Sequence, residues 1–180
     1  MSIVSKPVKP LPVVVVMGVS GTGKSTLGLA IKDRYGFTFL DADDFHPPEN
    51  VAKMRAGIPL TDAERWPWLD RLAERLAQSA ATGEATVLAC SALKESYRRK
   101  LADACPGLLF AFLDGSREVI AERLAQRKGH YMPPTLLDSQ LATLEVPSPE
   151  SENVITLDCR EPPEVLAEMV GRRLELPARD

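Results

Sequence analysis

Three observations predict an α/β chain with a mostly parallel five-stranded sheet between two helical layers. Apolar runs of strand length recur at Leu11 to Met17, Phe37 to Leu40, Thr86 to Cys90, Leu108 to Leu113 and Val154 to Leu157. Helical patterns separate them, the rhythm of a parallel sheet covered on both faces. A glycine-rich segment, Gly18-Val19-Ser20-Gly21-Thr22-Gly23-Lys24-Ser25, stands between the first run and the helical pattern Thr26 to Tyr35.

The elements follow in chain order. Residues 1–10, with Pro7 and Pro10, read as a loose leader. Lys6 and Lys9 ahead of an apolar run resemble the start of a secretory signal, but that run feeds the glycine-rich segment, and cleavage there would destroy it. The first helix closes at Gly36, a residue suited to the left-handed conformation after a helix end. In Trp68 to Ala81, Leu69, Leu72, Leu76 and Ala80 share one face; in Arg117 to Arg127, Val119, Ile120 and Leu124 do. Those stripes are core. Proline pairs at Pro133-Pro134 and Pro162-Pro163 mark loop boundaries. With 180 residues, 44% hydrophobic and 26% charged, residues 11–175 make one domain, followed by a tail at 176–180.

Charge and cysteine usage exclude several classes. A net charge of −3 and a pI near 5.5 provide no basic field for nucleic acid or acidic lipid. No run reaches the ~18 apolar residues that span a bilayer. Cys90, Cys105 and Cys159 are odd in number and widely spaced, without a metal or disulfide pattern, which suits a reducing cytoplasm.

The glycine-rich segment is a complete GxxxxGK(S/T) phosphate loop. Its glycines let successive backbone N–H groups converge, Lys24 reaches the β/γ-phosphates, and the Ser25 hydroxyl ligates Mg²⁺ at a helix N-terminus. Gly18 through Ser25, with Thr26, are the expected nucleotide contacts. Ligands of open α/β sheets collect beyond the carboxyl ends of the strands. Three such places are polar. After Phe37 to Leu40 comes Asp41-Ala42-Asp43-Asp44-Phe45-His46, where Asp41 suits the Mg²⁺ shell and Asp43 a substrate hydroxyl; Asp44 reads as solvated. His46 suits packing and substrate contact equally. Asp114 is a rival metal carboxylate, but Gly115-Ser116 after it favours a turn or helix cap. After Thr86 to Ala89, Ser91, Lys94 and Arg98 suit an anionic group, although Arg99 and Lys100 also fit a solvated basic helix. In the third place a helix breaks at Gly129. Arg123 and Arg127, at i and i+4, suit a mobile lid over transferring phosphates, with Lys128 and His130 at its rim.

Five long motifs in order carry a resemblance: MGVSGTGKS (17–25), LDADDFHPPENVAKMRAGIPLTDAERWPWL (40–69), CSALKESYR (90–98), RLAQRKGHYM (123–132) and LLDSQLATLEVP (136–147). The chain resembles gluconate kinases, within the P-loop kinase group that also holds shikimate and nucleoside monophosphate kinases. The resemblance implies a three-layer α/β/α P-loop kinase with a mobile helical lid at about 123–145, working as a homodimer. It implies transfer of the ATP γ-phosphate to the 6-hydroxyl of D-gluconate with Mg²⁺. The family's acidic turn falls on Asp41 and Asp43, and its substrate run on Lys53, Met54, Gly57, Pro59, Leu60, Asp62, Arg65 and Trp68. The KxxYR element falls on Lys94, Tyr97 and Arg98, and the lid on Arg123, Arg127 and His130. Ala42 and Tyr131 replace residues that are commonly glycine and phenylalanine, with no loss of charge.

The expected division of labour follows. Lys24, Asp43 and Arg127 are catalytic, and Ser25 and Asp41 hold the metal. Arg123 joins the phosphate loop at the nucleotide, whereas Asp43, His46, Lys53, Arg65, Ser91, Lys94, Arg98 and His130 form the acceptor side. Gluconate's carboxylate needs a cation, and the sequence does not rank Lys53, Arg65, Lys94 and Arg98. Arg127 and the loop after Leu157 are the expected walls around the nucleotide base. Trp68 reads as core rather than as a sugar platform.

Overall fold

A computed structural model of the chain describes residues 12–127 and 134–177. Five strands are present among them: β1 Val13–Met17, β2 Thr38–Asp41, β3 Thr86–Ala89, β4 Leu109–Asp114 and β5 Val154–Asp158. The helices are α1 Lys24–Tyr35, α2 Pro48–Arg55, α3 Asp62–Thr82, α4 Glu95–Ala104, α5 Arg117–Ala125, α6 Pro134–Thr143 and α7 Pro163–Arg173, with a 3₁₀ turn at Ala42–Phe45. The sheet order is β2-β3-β1-β4-β5, and every pairing is parallel. β1 is therefore central, and the phosphate loop leaves the middle of the sheet.

The unbroken apolar run of β1 reflects a sheet covered twice. Successive side chains point to opposite faces, so Val13, Val15 and Met17 join Trp68, Leu69, Leu72, Leu76 and Leu101 beneath α3 and α4. Val14 and Val16 join Leu27, Ile31, Leu166 and Val170 beneath α1 and α7. Close approach on that second side depends on small residues. A Cβ at Gly28 would meet the Phe39 ring at 2.5 Å, and one at Gly171 would meet the Tyr35 hydroxyl at 1.9 Å. Gly36 closes α1 at φ 75°, its N–H donating to the Lys32 carbonyl, as expected.

Two helices differ from their expected bounds. α3 begins at Asp62 rather than Trp68 because Thr61 and Glu64 form a reciprocal capping box. The T-x-x-E signature was present in the sequence. α5 stops at Ala125, and Arg127 lies beyond it, so Arg123 and Arg127 do not share a helix face. Among the described residues no helix is long and apolar enough to cross a membrane.

Candidate active site

The phosphate loop is held in shape by its own contacts. Gly18, Gly21 and Gly23 sit at φ 145°, 89° and 95°, which L side chains rarely adopt. The buried Thr22 hydroxyl donates to the Val19 carbonyl at 2.9 Å, and Lys24 Nζ donates to the same carbonyl at 3.1 Å. Lys24 is thus folded over its own loop. Burial, reinforced by Arg127 and opposed by Asp43, lowers its ammonium to about 8. Ser25 and Thr26 stand exposed on the first turn of α1.

A cavity of about 400 Å³ joins this loop to the ends of β2 and β3. Ser20, Lys24 and Ser25 line it at one end, Asp41, Asp43 and Ser91 across the middle, and His46, Arg65 and Trp68 beyond. The acidic turn is capped: Asp41 closes the 3₁₀ segment by accepting the Asp43 N–H at 3.0 Å. Burial among the cavity walls, then the Asp41 carboxylate, raises the Asp43 carboxyl, while Lys24 opposes the shift. Asp114, by contrast, ends β4 in a separate cavity with Ser116 and Arg160. The helix cap there is Ser116, whose hydroxyl accepts the Val119 N–H.

His46 lies flat on Trp68, ring centroids 4.2 Å apart, and its Nδ1 meets the Asn50 amide at 3.2 Å. Burial, then Arg65, lowers the imidazole to about 4, so the ring is neutral at pH 7. Trp68 is core on one side, 8% exposed with its indole N–H on the Ala42 carbonyl, and cavity wall on the other. Cys90 also lines the cavity, but burial pushes its thiol up to about 12 and leaves it unreactive. All three cysteines are free and buried.

The four cations expected to compete for the acceptor's carboxylate separate clearly. Arg98 is corrected from a substrate contact to a buried clamp, 1% exposed. Its five N–H donors meet the Glu152 carboxylate twice and the Ala92, Leu93 and Glu145 carbonyls once each. No donor remains for a ligand. Lys53 pairs with Glu64 at 2.8 Å, and Lys94 meets both oxygens of Asp62, whose carboxylate also accepts the Tyr97 hydroxyl. Neither lysine lines the cavity. Arg65 does; its guanidinium stands 5.7 Å from the Tyr97 ring centroid and acts on the Asp62 carboxylate from a distance, with no direct ion pair among the described residues. The paired charges of the 53–97 region thus frame α2, α3 and α4 around Arg65.

At the lid side, only Arg127 of the two arginines reaches the cavity. Arg123 instead donates to the Thr22 carbonyl at 3.3 Å, behind the phosphate loop. Lys128 and His130 lie outside the described residues. Gln140 of α6 also lines the cavity and bonds Ser20 of the phosphate loop twice. Its motif was visible in the sequence, but no spacing rule links residues so far apart.

Among the described residues no cluster of three or more His, Cys, Asp or Glu forms a metal cage. Ser25 and Asp41, both lining the cavity, instead suit a hard cation that keeps waters and borrows phosphate oxygens, the usual habit of Mg²⁺.

A family model described as an AAA domain matches residues 13–147. A gluconokinase from Gluconobacter oxydans is 46% identical over 161 residues, covering 89% of this chain and 90% of its own. Among solved structures, a sugar kinase from Janibacter sp. HTCC2649 superposes with a TM-score of 0.86 at 50% identity, covering 93% of this chain and 96% of its own. A gluconokinase from Sinorhizobium meliloti 1021 gives 0.79 at 46% identity, covering 92% and 96%. With identity of that order across nearly the whole of each sequence, a phosphate loop opening on a paired-carboxylate turn makes this chain a member of the gluconokinase family of P-loop kinases.

Proposed function

We propose that the protein transfers the γ-phosphoryl group of ATP to the 6-hydroxyl of D-gluconate, giving 6-phospho-D-gluconate and ADP. The observation that carries this reading is one cavity joining Lys24 and Ser25 to Asp43 and to Arg65, which makes no direct ion pair among the described residues. Loop amides from Val19 to Thr26, apart from that of Ser20, hold the phosphates together with Lys24, and Arg127 covers them at the cavity mouth. Asp43 orients the attacking hydroxyl and accepts its proton. Arg65 takes the sugar-acid carboxylate in a charge-assisted pair, while Ser91 and His46 contact hydroxyls. Phosphoryl transfer through a loose transition state asks mainly for such alignment and charge neutralisation.

Ser25 and Asp41 would hold Mg²⁺, which when bound neutralises phosphate charge. The base is assigned to the loop after β5, where Arg160 closes on Asp158 beside a second cavity of about 390 Å³. A homodimer in the cytoplasm completes the reading, supported by the family resemblance and by three buried free thiols; sedimentation tests the assembly. ADP release with Mg-ATP against D-gluconate, shikimate, nucleoside monophosphates, related sugar acids and no acceptor tests the function. Stimulation by gluconate above the others is expected. Stimulation by a different acceptor, or acceptor-independent hydrolysis, would overturn it.

A further inference from the structure

We infer that Gln140 is a positioning residue for phosphoryl transfer: its carboxamide fixes Ser20 so that the serine hydroxyl donates to the transferring phosphoryl group. The inference deepens the kinase reading and rests on it.

The Ser20 N–H donates to Gln140 Oε1 at 2.8 Å, and Gln140 Nε2 donates to Ser20 Oγ at 3.1 Å. One carboxamide thus grips the backbone and the side chain of one loop residue. The consequence lies in the hydroxyl. A serine hydroxyl has one proton to give and two lone pairs to offer. Gln140 takes a lone pair, which leaves the proton free. Ser20 lines the same end of the cavity as Lys24, so the free proton has the cavity before it. Held this way, the Ser20 N–H faces the glutamine and the O–H faces the phosphoryl group. Fixed donors at a site of developing charge need no reorganisation during reaction.

Gln140 can impose this because α6 is itself fixed at several points. Leu137 is buried with Val19, Leu93, Ile120 and Leu124, so the helix packs directly on the phosphate loop and α5. Arg117 pairs with Asp138 at 2.6 Å. Past the far end of the helix, the Glu145 N–H donates to the Leu93 carbonyl at 2.8 Å and the Glu145 carbonyl accepts from Arg98 at 2.8 Å. The expected lid segment therefore contains a packed wall, and Gln140 projects from it. A reacting group is best held by side chains that stand on rigid elements.

The test compares Gln140→Ala, Gln140→Glu, Ser20→Ala and the Ser20→Ala/Gln140→Ala double variant. Gln140→Ala is expected to lower kcat about tenfold or more, the effect of one hydrogen bond to a charged group, with the gluconate KM and the thermal midpoint nearly unchanged. The double variant should lose no more than the worse single one, because both act through one hydroxyl. Gln140→Glu should not rescue: its carboxylate accepts the Ser20 O–H and turns it from the phosphoryl group. A readout free of the acceptor is affinity for β,γ-imido-ATP against ADP. Gln140→Ala should weaken the triphosphate about tenfold and leave ADP within about twofold. Equal effects on both nucleotides, additive losses in the double variant, or full kcat in Gln140→Ala would overturn the inference. Absence of gluconate-stimulated turnover in the unaltered protein would instead overturn the proposed function, while the nucleotide ratio still decides the role of Gln140.

Discussion

The two ends of the cavity are built by opposite means. At the phosphate end the backbone does most of the work: glycines at positive φ, loop amides and a helix N-terminus converge, and Lys24 adds one charge folded against its own loop. At the acceptor end nearly everything is a side chain, and most of the charged ones face each other. Lys53 with Glu64, Lys94 with Asp62 and Arg98 with Glu152 form a frame that leaves Arg65 to the cavity. In the proposed function the acceptor's carboxylate goes to Arg65, the cation that this frame does not hold in an ion pair.

The largest expected effect tests the phosphate end. Lys24→Ala should lower kcat/KM about 10³-fold by removing a charge placed for the transition state; near-normal turnover would break the assignment. Asp43→Asn follows, with kcat down about 10²-fold and nucleotide affinity little changed when measured by calorimetry. If Asp114→Asn were the damaging change instead, the carboxylates have been exchanged. The pH profile separates the two ends further. Asp43 must be ionised to accept a proton, and burial and Asp41 raise its carboxyl, so kcat should fall on the acid side at a higher pH than an unperturbed aspartate would give. Lys24, lowered to about 8, must be charged to hold phosphate, so KM for ATP should rise about tenfold per pH unit above that value. The two limbs belong to different kinetic parameters, and Asp43→Asn should erase only the first.

Arg98 provides the sharpest contrast within the acceptor end. Arg98→Ala strands Glu152 and three carbonyls, and is expected to destabilise the fold by about 3 kcal/mol in denaturant unfolding. A raised gluconate KM without loss of stability would return Arg98 to the substrate. Lys53→Ala and Lys94→Ala, half-buried partners of the frame, should change the gluconate KM only a few-fold and stability by under about 1 kcal/mol.

The same division decided what the sequence could reveal. Strand runs, the phosphate loop, Gly36 and the Asp41–Asp43 turn were legible because local chemistry dictates each: a doubly covered strand must be apolar throughout, and a tight phosphate-binding turn must carry glycines. The ranking of the four cations was not legible, since Lys94 and Asp62 meet only through folding, as do Arg98 and Glu152. The i,i+4 argument for Arg123 and Arg127 failed because α5 ends between them, and the early start of α3 was missed although Thr61 and Glu64 announced it. Gln140 was invisible for the same reason as the frame, its partner Ser20 lying in a distant part of the chain.

The most direct test of the central claim is the acceptor KM of Arg65→Ala, measured by ADP release at saturating Mg-ATP with D-gluconate and with D-glucitol, which keeps the hydroxyls and lacks the carboxylate. Loss of a charge-assisted pair should raise the gluconate KM about 10- to 100-fold and remove the preference for gluconate over glucitol, with kcat affected less. An unchanged gluconate KM in Arg65→Ala, with the preference intact, would contradict the account.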